Sequence, residues 1–360
     1  MATIYFSMAG EGRGHATRVR SMVEPLRDAG DHIELFAGGD AYDLLAPIYR
    51  GTAVRVHRIP CPRFAYTADK RLDSVATLLG GMRYFLRLPR LVGKLERYLR
   101  RHPPDLVIVD FEPALPRAAE RAGVPYISVD HQHTFVADQL TLLPPYWRLR
   151  AWLIGFVVRL YHRKERHAVI SQFFFPPVKP KWRGRVTHAG VLLRPEVIAA
   201  QTSDAGFLLV YLKKFGTPNI MAALRRCGLP VRLYGLGEQE PEGNITYCKV
   251  DNHAFVRDLA SCTALLCSSG NQLIGEALYF GKPVFALPEP NNDEQIFNCH
   301  YLSKSGAGAW AEMDHVTPEE VRTFLENVDK YRGRIDREKM NGTPVALAAI
   351  RRQLRELGVE

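Results

Sequence analysis

Two stretches of this 360-residue chain gather residues whose types and spacing can do chemistry. Residues 9–15 read AGEGRGH, directly after the apolar run Ile4-Tyr5-Phe6-Ser7-Met8. Glycine is conformationally free and entropically costly. Gly10, Gly12 and Gly14 at a strand end therefore imply a tight turn or a close approach of backbone to a ligand. Gly14 and His15 then stand at the mouth of a helix. Residues 267–298 read CSSGNQLIGEALYFGKPVFALPEPNNDEQIFN. Here an apolar strand ends at Cys267, Ser268-Ser269-Gly270-Asn271 form a small polar turn, and a second helix begins. Such a turn aims backbone N–H groups and the positive end of a helix dipole at one point, which suits a phosphate. Glu276 follows six residues after Gly270. By itself it is an ordinary solvated helix residue, but beside a phosphate seat a carboxylate can accept a pair of hydrogen bonds from a ribose diol. Asp293 and Gln295, set on a rim after Pro288 and Pro290, can read sugar hydroxyls in the same way.

Loops of this kind need strands that end where the chemistry begins. The alternation of patterns predicts strands at 2–8, 32–37, 54–59, 105–110 and 126–129, with helices at 16–29, 40–49, 72–101 and 114–122. Strands that are apolar throughout and separated by helices argue for a parallel sheet covered on both faces. Between 173 and 195, Pro176, Pro177, Pro180 and Pro195 break the rhythm, which predicts a linker or hinge. The alternation then restarts, with strands at 206–211, 231–235, 245–247, 264–267 and 284–287. The expected fold is α/β, with two doubly wound Rossmann-like domains facing across a cleft. Residues 1–190 and 191–335 form the two domains, and 336–360 a C-terminal helix packing back across the region between them. Ligands of open parallel sheets bind beyond the C-terminal ends of the strands, so the cleft is the expected site.

The chain has 48 Lys and Arg against 38 Asp and Glu, a formal net charge of +10. Arg83, Arg87, Arg90, Lys94, Arg97 and Arg101 recur at intervals of three and four, one stripe of a helix beside the apolar stripe of Tyr84, Leu88, Leu91, Leu95 and Tyr98. Arg150 and Arg159 bound a second apolar run, 151–158, far short of the ~20 residues that span a bilayer. Both patterns suit helices lying in an interface with guanidinium groups among anionic headgroups. Each also suits a helix packed on its own domain with a solvated basic face. No RNA-binding signature, zinc-finger spacing or basic tail is present, so nucleic acid is not an expected partner. The six cysteines are scattered without a CxxC pair, and the N-terminus has no basic leader, which together point to the cytoplasm.

Ser269-Gly270, Glu276, Gly281-Lys282-Pro283, Asp293, Gln295 and Asn298 together resemble the nucleotide-sugar signature of GT-B glycosyltransferases. The resemblance is to family 28 and its family 1 relatives, which include the peptidoglycan lipid-linked N-acetylglucosaminyltransferase. GEGRGH resembles the N-terminal glycine-rich loop of the same enzymes, and DLVIVDFEP (105–113) and YISVDHQH (126–133) resemble a teichoic-acid-synthesis-like branch. The resemblance implies an inverting transferase without a metal or other cofactor. It would move a sugar from a nucleoside diphosphate, expected to be UDP, to a hydroxyl of a lipid or lipid-linked acceptor, with the enzyme peripheral to the inner membrane on its cytoplasmic side. The alternatives are a soluble natural-product or polysaccharide acceptor, a nucleotide-sugar epimerase, and a nucleotide-sugar-binding module without catalysis.

On this resemblance the first domain takes the acceptor and the second the donor. His15 is the first candidate for the base that removes the acceptor proton, because an imidazole titrates near neutrality with little tuning. Asp110 or Asp130, each at a strand end, can orient it, and Glu11 is an alternative base. Donor contacts are expected from Gly14, Lys213, Lys214, Ser268, Ser269, Gly270, Asn271, Glu276, Asp293 and Gln295, with 251–255 facing the base. Acceptor contacts are expected from Glu112, His131 and His133. The two histidines also suggest a metal, but no third ligand is apparent from the sequence. Arg83, Arg87, Arg90, Lys94, Arg97, Arg150 and Arg159 are expected to face an anionic membrane surface.

Overall fold

The computed structural model of the chain describes residues 1–62, 74–212 and 216–359. Its strands form two sheets in which every neighbouring pair runs parallel. The first contains β1 (Thr3–Met8), β2 (His32–Ala37), β3 (Arg55–Arg58), β4 (Leu106–Asp110), β5 (Tyr126–Asp130), β6 (Ala168–Ser171) and β7 (Val186–Ala189), in the order β3-β2-β1-β4-β5-β6-β7. β4 and β5 are buried at every position, which is why their sequences are apolar on both faces rather than alternating. Helices Gly14–Asp28, Gly39–Ile48 and Thr343–Glu356 cover one side through residues such as Val19, Val23, Leu45 and Ile350. Helices Ser74–Arg101 and Ala114–Ala122 cover the other through Leu88, Leu95, Leu99 and Leu115. The C-terminal helix thus belongs to the core of the first sheet.

The second sheet contains β8 (Leu208–Tyr211), β9 (Val231–Tyr234), β10 (Ile245–Cys248), β11 (Ala264–Cys267), β12 (Val284–Ala286) and β13 (Gly308–Trp310), in the order β10-β9-β8-β11-β12-β13. Both sheets reverse their strand order beside the first strand, between β1 and β4 and between β8 and β11. In such sheets these switch points are where ligands sit.

The stretch 173–195, expected as a linker, is not one. It contributes the turn Pro180–Trp182 and the edge strand β7 to the first sheet, and β6 just before it was not foreseen. Its prolines shape a turn held by the buried Trp182 instead of freeing the chain. The true crossover is 190–194. Gly190 leaves no room there for a Cβ against the carbonyls of Lys339 and Met340.

The lobes meet along a shared apolar seam. Phe135 of the first lies 5.1 Å from Phe297 of the second, centroid to centroid, and Phe174 stacks on Tyr301 at 4.0 Å.

Candidate active site

In the first lobe the glycine loop leaves β1 and turns under the loop that follows β2. A Cβ on Gly10 would overlap the Gly38 carbonyl and Cys61 Sγ, and Gly12 adopts φ +71°. These two glycines are demanded by the chain itself. Gly14 is not: nothing lies within 4 Å of where its Cβ would stand, so its missing side chain leaves open space at the helix start. His15, next along, places Nδ1 2.9 Å from Asp110 Oδ1 at the end of β4. The carboxylate accepts from Nδ1–H, so in the neutral imidazole Nε2 is the nitrogen with the lone pair. Of the two expected orienting carboxylates, Asp110 is the one that reaches His15.

Sequence reading missed Arg18, one helical turn beyond His15. Its Nη1 donates to the same Oδ1 at 2.8 Å, and the side chain is buried. Phe111, directly after Asp110, has φ +52°, a rare conformation for a bulky residue that tends to occur at functional sites. The turn there separates two carboxylates. Asp110 faces His15, whereas Glu112 accepts the N–H groups of Ala114 and Leu115 at 2.7 and 2.8 Å. Glu112 therefore caps a helix from full burial, which pushes its pKa up, and does not face a cleft as expected for an acceptor contact. Glu11 stands half-buried on the glycine loop.

Asp130 is occupied elsewhere. It accepts the N–H of His133 at 2.8 Å and its Nδ1 at 2.7 Å, while His133 Nε2 lies 3.8 Å from Glu165. Burial opposes the charge on His133, but Asp130 and then Glu165 outweigh it and raise its pKa to about 10. This interior ion pair replaces the expected acceptor role of His133. His131 is also fully buried, with no hydrogen-bond partner at either ring nitrogen, and burial pushes its pKa down. Among the described residues no three His, Cys, Asp or Glu side chains are placed to hold a metal ion.

In the second lobe the helix Asn271–Tyr279 begins at Gly270 without a side-chain cap. The polar side chains of its turn face the protein. Ser269 Oγ is 2.8 Å from Cys299 Sγ, and the Asn271 amide donates to Ser171 O at 3.0 Å, tying the lobes together. Ser268 is buried as well. What the turn offers a ligand is backbone, since the first N–H groups of a helix have no intrahelical partner. Gly270, like Gly14, has nothing within 4 Å of its Cβ position.

Glu276 is buried and paired with Arg194, not solvated. Asp293 accepts a two-pronged bond from Arg150 at 2.8 and 3.0 Å, and Gln295 Oε1 accepts the Glu289 N–H at 2.7 Å. Arg150 thus bridges the lobes, its side chain still 42% exposed. Lys213 and Lys214 lie outside the described residues.

The two switch points converge. From the helix that starts at Gly14, Ser21 Oγ donates to Leu192 O at 3.0 Å, and from the helix that starts at Asn271, Gln272 Nε2 donates to the same carbonyl at 2.9 Å. Gln132, after β5, reaches across to Glu294 at 3.1 Å. A histidine–aspartate pair therefore stands in one lobe and an uncapped helix start in the other, with the crossover between them.

Residues 2–329 match the family described as glycosyl transferase family 1. The chain belongs to that family. It is 24% identical over 394 residues to an uncharacterized glycosyltransferase of Methanosarcina acetivorans, covering 99% of this chain and 98% of that one. A second uncharacterized glycosyltransferase, from Methanosarcina mazei, is 22% identical over 93% and 92% of the two chains. Among solved structures, the glycotransferase of kitacinnamycin is similar at a TM-score of 0.69 and 18% identity, over 98% and 99% of the chains. The calicheamicin glycosyltransferase CalG4 is similar at 0.65 and 17%, over 98% of each. Arabidopsis thaliana UGT89C1 complexed with UDP-L-rhamnose is similar at 0.70 and 14%, over 99% of each. The fold of this glycosyltransferase is GT-B.

Its first lobe also carries an unusual surface. In the helix Pro145–Tyr161 the small residues Ala151 and Gly155 face inward, and a Cβ on Gly155 would press on the Phe135 carbonyl. Leu149, Trp152, Leu153 and Phe156 face out, Trp152 at 63% exposure. Phe85, whose ring lies 6.1 Å from Tyr161, continues the patch with exposed Met82 and Leu86. Arg83, Arg87, Arg90, Lys94, Arg97 and Arg159 are all exposed. Among the described residues no helix is long and apolar enough to cross a membrane.

Proposed function

We propose that this glycosyltransferase moves a sugar, with inversion, from a UDP-sugar to a hydroxyl of a lipid or lipid-linked acceptor at an anionic membrane surface. His15 Nε2 takes the hydroxyl proton, and Asp110 stabilises the imidazolium that results. The acceptor oxygen forms its bond to the anomeric carbon as the bond to the diphosphate breaks. The departing charge is received by the backbone N–H groups at the start of the helix Asn271–Tyr279. The relative solved with UDP-L-rhamnose supports the choice of UDP.

The lipid reading rests on the outward face of the helix Pro145–Tyr161. Contiguous exposed apolar surface beside cations suits a headgroup–acyl boundary. Co-sedimentation with vesicles of phosphatidylcholine alone and with phosphatidylglycerol added tests it. We expect binding that needs the anionic lipid and is lost in Trp152→Glu/Phe156→Glu, which keeps the fold. Vesicle-independent turnover on a soluble aglycone would support the second reading, a small-molecule acceptor, which the kitacinnamycin and calicheamicin enzymes favour.

A further inference from the structure

Glu276, the carboxylate assigned to the donor ribose, is already engaged. It is 2% exposed. Its Oε2 accepts Arg194 Nη2 at 2.8 Å, and its Oε1 accepts Arg194 Nε at 3.2 Å and Gln272 Nε2 at 3.1 Å. The remaining prong, Nη1, bonds Asn252 Oδ1, in the segment expected to face the base. A guanidinium fork and a vicinal diol present the same thing to a carboxylate, two donors side by side. A ribose seeking Glu276 therefore finds an arginine where its hydroxyls belong.

Arg194 is built to leave. It belongs to neither sheet and is the last residue of the crossover, whose backbone is held independently by Ser21 and Gln272 at Leu192 O. The side chain can swing without disturbing a strand. It cannot leave without a new anion, because its side chain is only 11% exposed and a largely desolvated cation without a partner is costly. The donor brings that anion with it. Glu276 lies six residues after Gly270, roughly 9 Å along the helix at about 1.5 Å per residue. That spacing sets a diphosphate at the turn when the ribose is at the carboxylate, and a swinging arginine side chain spans it.

We propose that Arg194 holds the ribose site of the empty enzyme, and that donor binding exchanges its partner: Glu276 passes from the guanidinium to the ribose diol while the guanidinium passes to the diphosphate. This rests on the donor assignment made above. Calorimetric titration of the full chain with uridine and with UDP tests it. In Arg194→Met the exchange predicts uridine binding several-fold tighter, since its competitor is gone. The same variant should lose at least about tenfold of the advantage of UDP over uridine, the scale of one charged hydrogen bond. Arg194→Lys, which keeps the charge without the fork, should also bind uridine more tightly and retain most of that advantage; it serves as the test if the Met variant does not fold. Equal weakening of both ligands would assign Arg194 to the nucleoside itself, and no change in either would leave it a structural ion pair. Both results overturn the exchange. Glu276→Gln separates the two levels. If it weakens uridine while Arg194→Met does nothing, only the exchange fails. If it leaves both ligands unchanged, or if wild-type protein binds neither, the donor assignment fails first.

Discussion

His15–Asp110 and His133–Asp130 are the same pair built twice, and only one of them leaves the second ring nitrogen without a partner among the described residues. Each sets an imidazole Nδ1 on a carboxylate at the C-terminal end of a strand, and β4 and β5 are parallel neighbours. The first histidine has an 18% exposed side chain and an Nε2 without a hydrogen-bond partner among the described residues. The second is fully buried, carries Glu165 at its other nitrogen, and is held protonated to about pH 10. A base must have a lone pair and a route to substrate, and His133 has neither near neutral pH. Pairing with an aspartate, then, does not make a histidine catalytic. What sets His15 apart is a ring nitrogen without a hydrogen-bond partner among the described residues, on a side chain that solvent reaches.

Exchanging the fates of the two pairs breaks the comparison most directly. His15→Ala and Asp110→Asn should each lower turnover by roughly 10²–10⁴-fold, the range of general-base catalysis; His15→Ala should change the melting temperature little, whereas Asp110→Asn should also lower it, because the buried Arg18 loses its carboxylate. The rate of nucleoside diphosphate release from an accepted donor measures this. Equal loss from His133→Ala at unchanged stability would reverse the assignment. Asp130→Asn should act on stability instead, costing about 3–5 kcal/mol, because it leaves the buried imidazolium with Glu165 at 3.8 Å as its remaining carboxylate. Denaturant unfolding measures the loss, and turnover per folded molecule should stay near wild type.

The same network predicts how stability follows pH. His162, whose ring lies 5.0 Å from that of His133, is pushed down to about 4 by burial and by the neighbouring imidazolium, with Asp130, Glu165 and Arg117 also facing it. The unfolded chain protonates this histidine near its ordinary value of about 6.5, and the folded chain does so only near 4. Between those values the unfolded state binds more protons, so stability is complete above 6.5 and falls as pH falls through the window. The drop is on the order of 3 kcal/mol. His162→Gln should flatten that slope between pH 7 and 5 in unfolding experiments, and an unchanged slope would place the acid sensitivity elsewhere.

Why one pair was legible in the sequence and the other was misread follows from range. β1, β4 and β5 announce themselves as continuous apolar runs, and the glycines around His15 mark the loop that uses them. β6 and β7 are four residues each, set among arginines, histidines and prolines, so no period emerges. The partners decide the site, and they are distant. Arg18 meets Asp110 across 92 residues and Arg194 meets Glu276 across 82, with nothing periodic to betray either. Ser269 and Asn271 read as ligand contacts because a polar turn looks alike whichever way it faces. Cys299 and Ser171, which turn them toward the seam, are brought near only by the closed fold. Asp130 was eligible to orient His15 because both strand ends share a rim, and the backbone N–H and ring Nδ1 of His133, three residues on, decide against it.

The smallest change sharpens the contrast by removing one wall of the buried pair. Glu165→Gln keeps the shape of the side chain and deletes a charge that lies 3.8 Å from His133 Nε2, beyond hydrogen-bond length. Asp130 remains with both of its bonds, so the imidazole stays charged at neutral pH, and the loss should be about 1–2 kcal/mol, well below that of Asp130→Asn. The pKa of His133 should fall from about 10, because one of the charges supporting it is gone. Its contribution to stability is present below the unfolded value and lost as pH rises through the folded one. The variant should therefore lose stability at a lower alkaline pH than wild type. NMR titration of the imidazole and unfolding at pH 7 and 9 would measure both effects. If Glu165→Gln proved as damaging as Asp130→Asn, the carboxylate that holds His133 would be Glu165, and the likeness between the two pairs would be one of outline only.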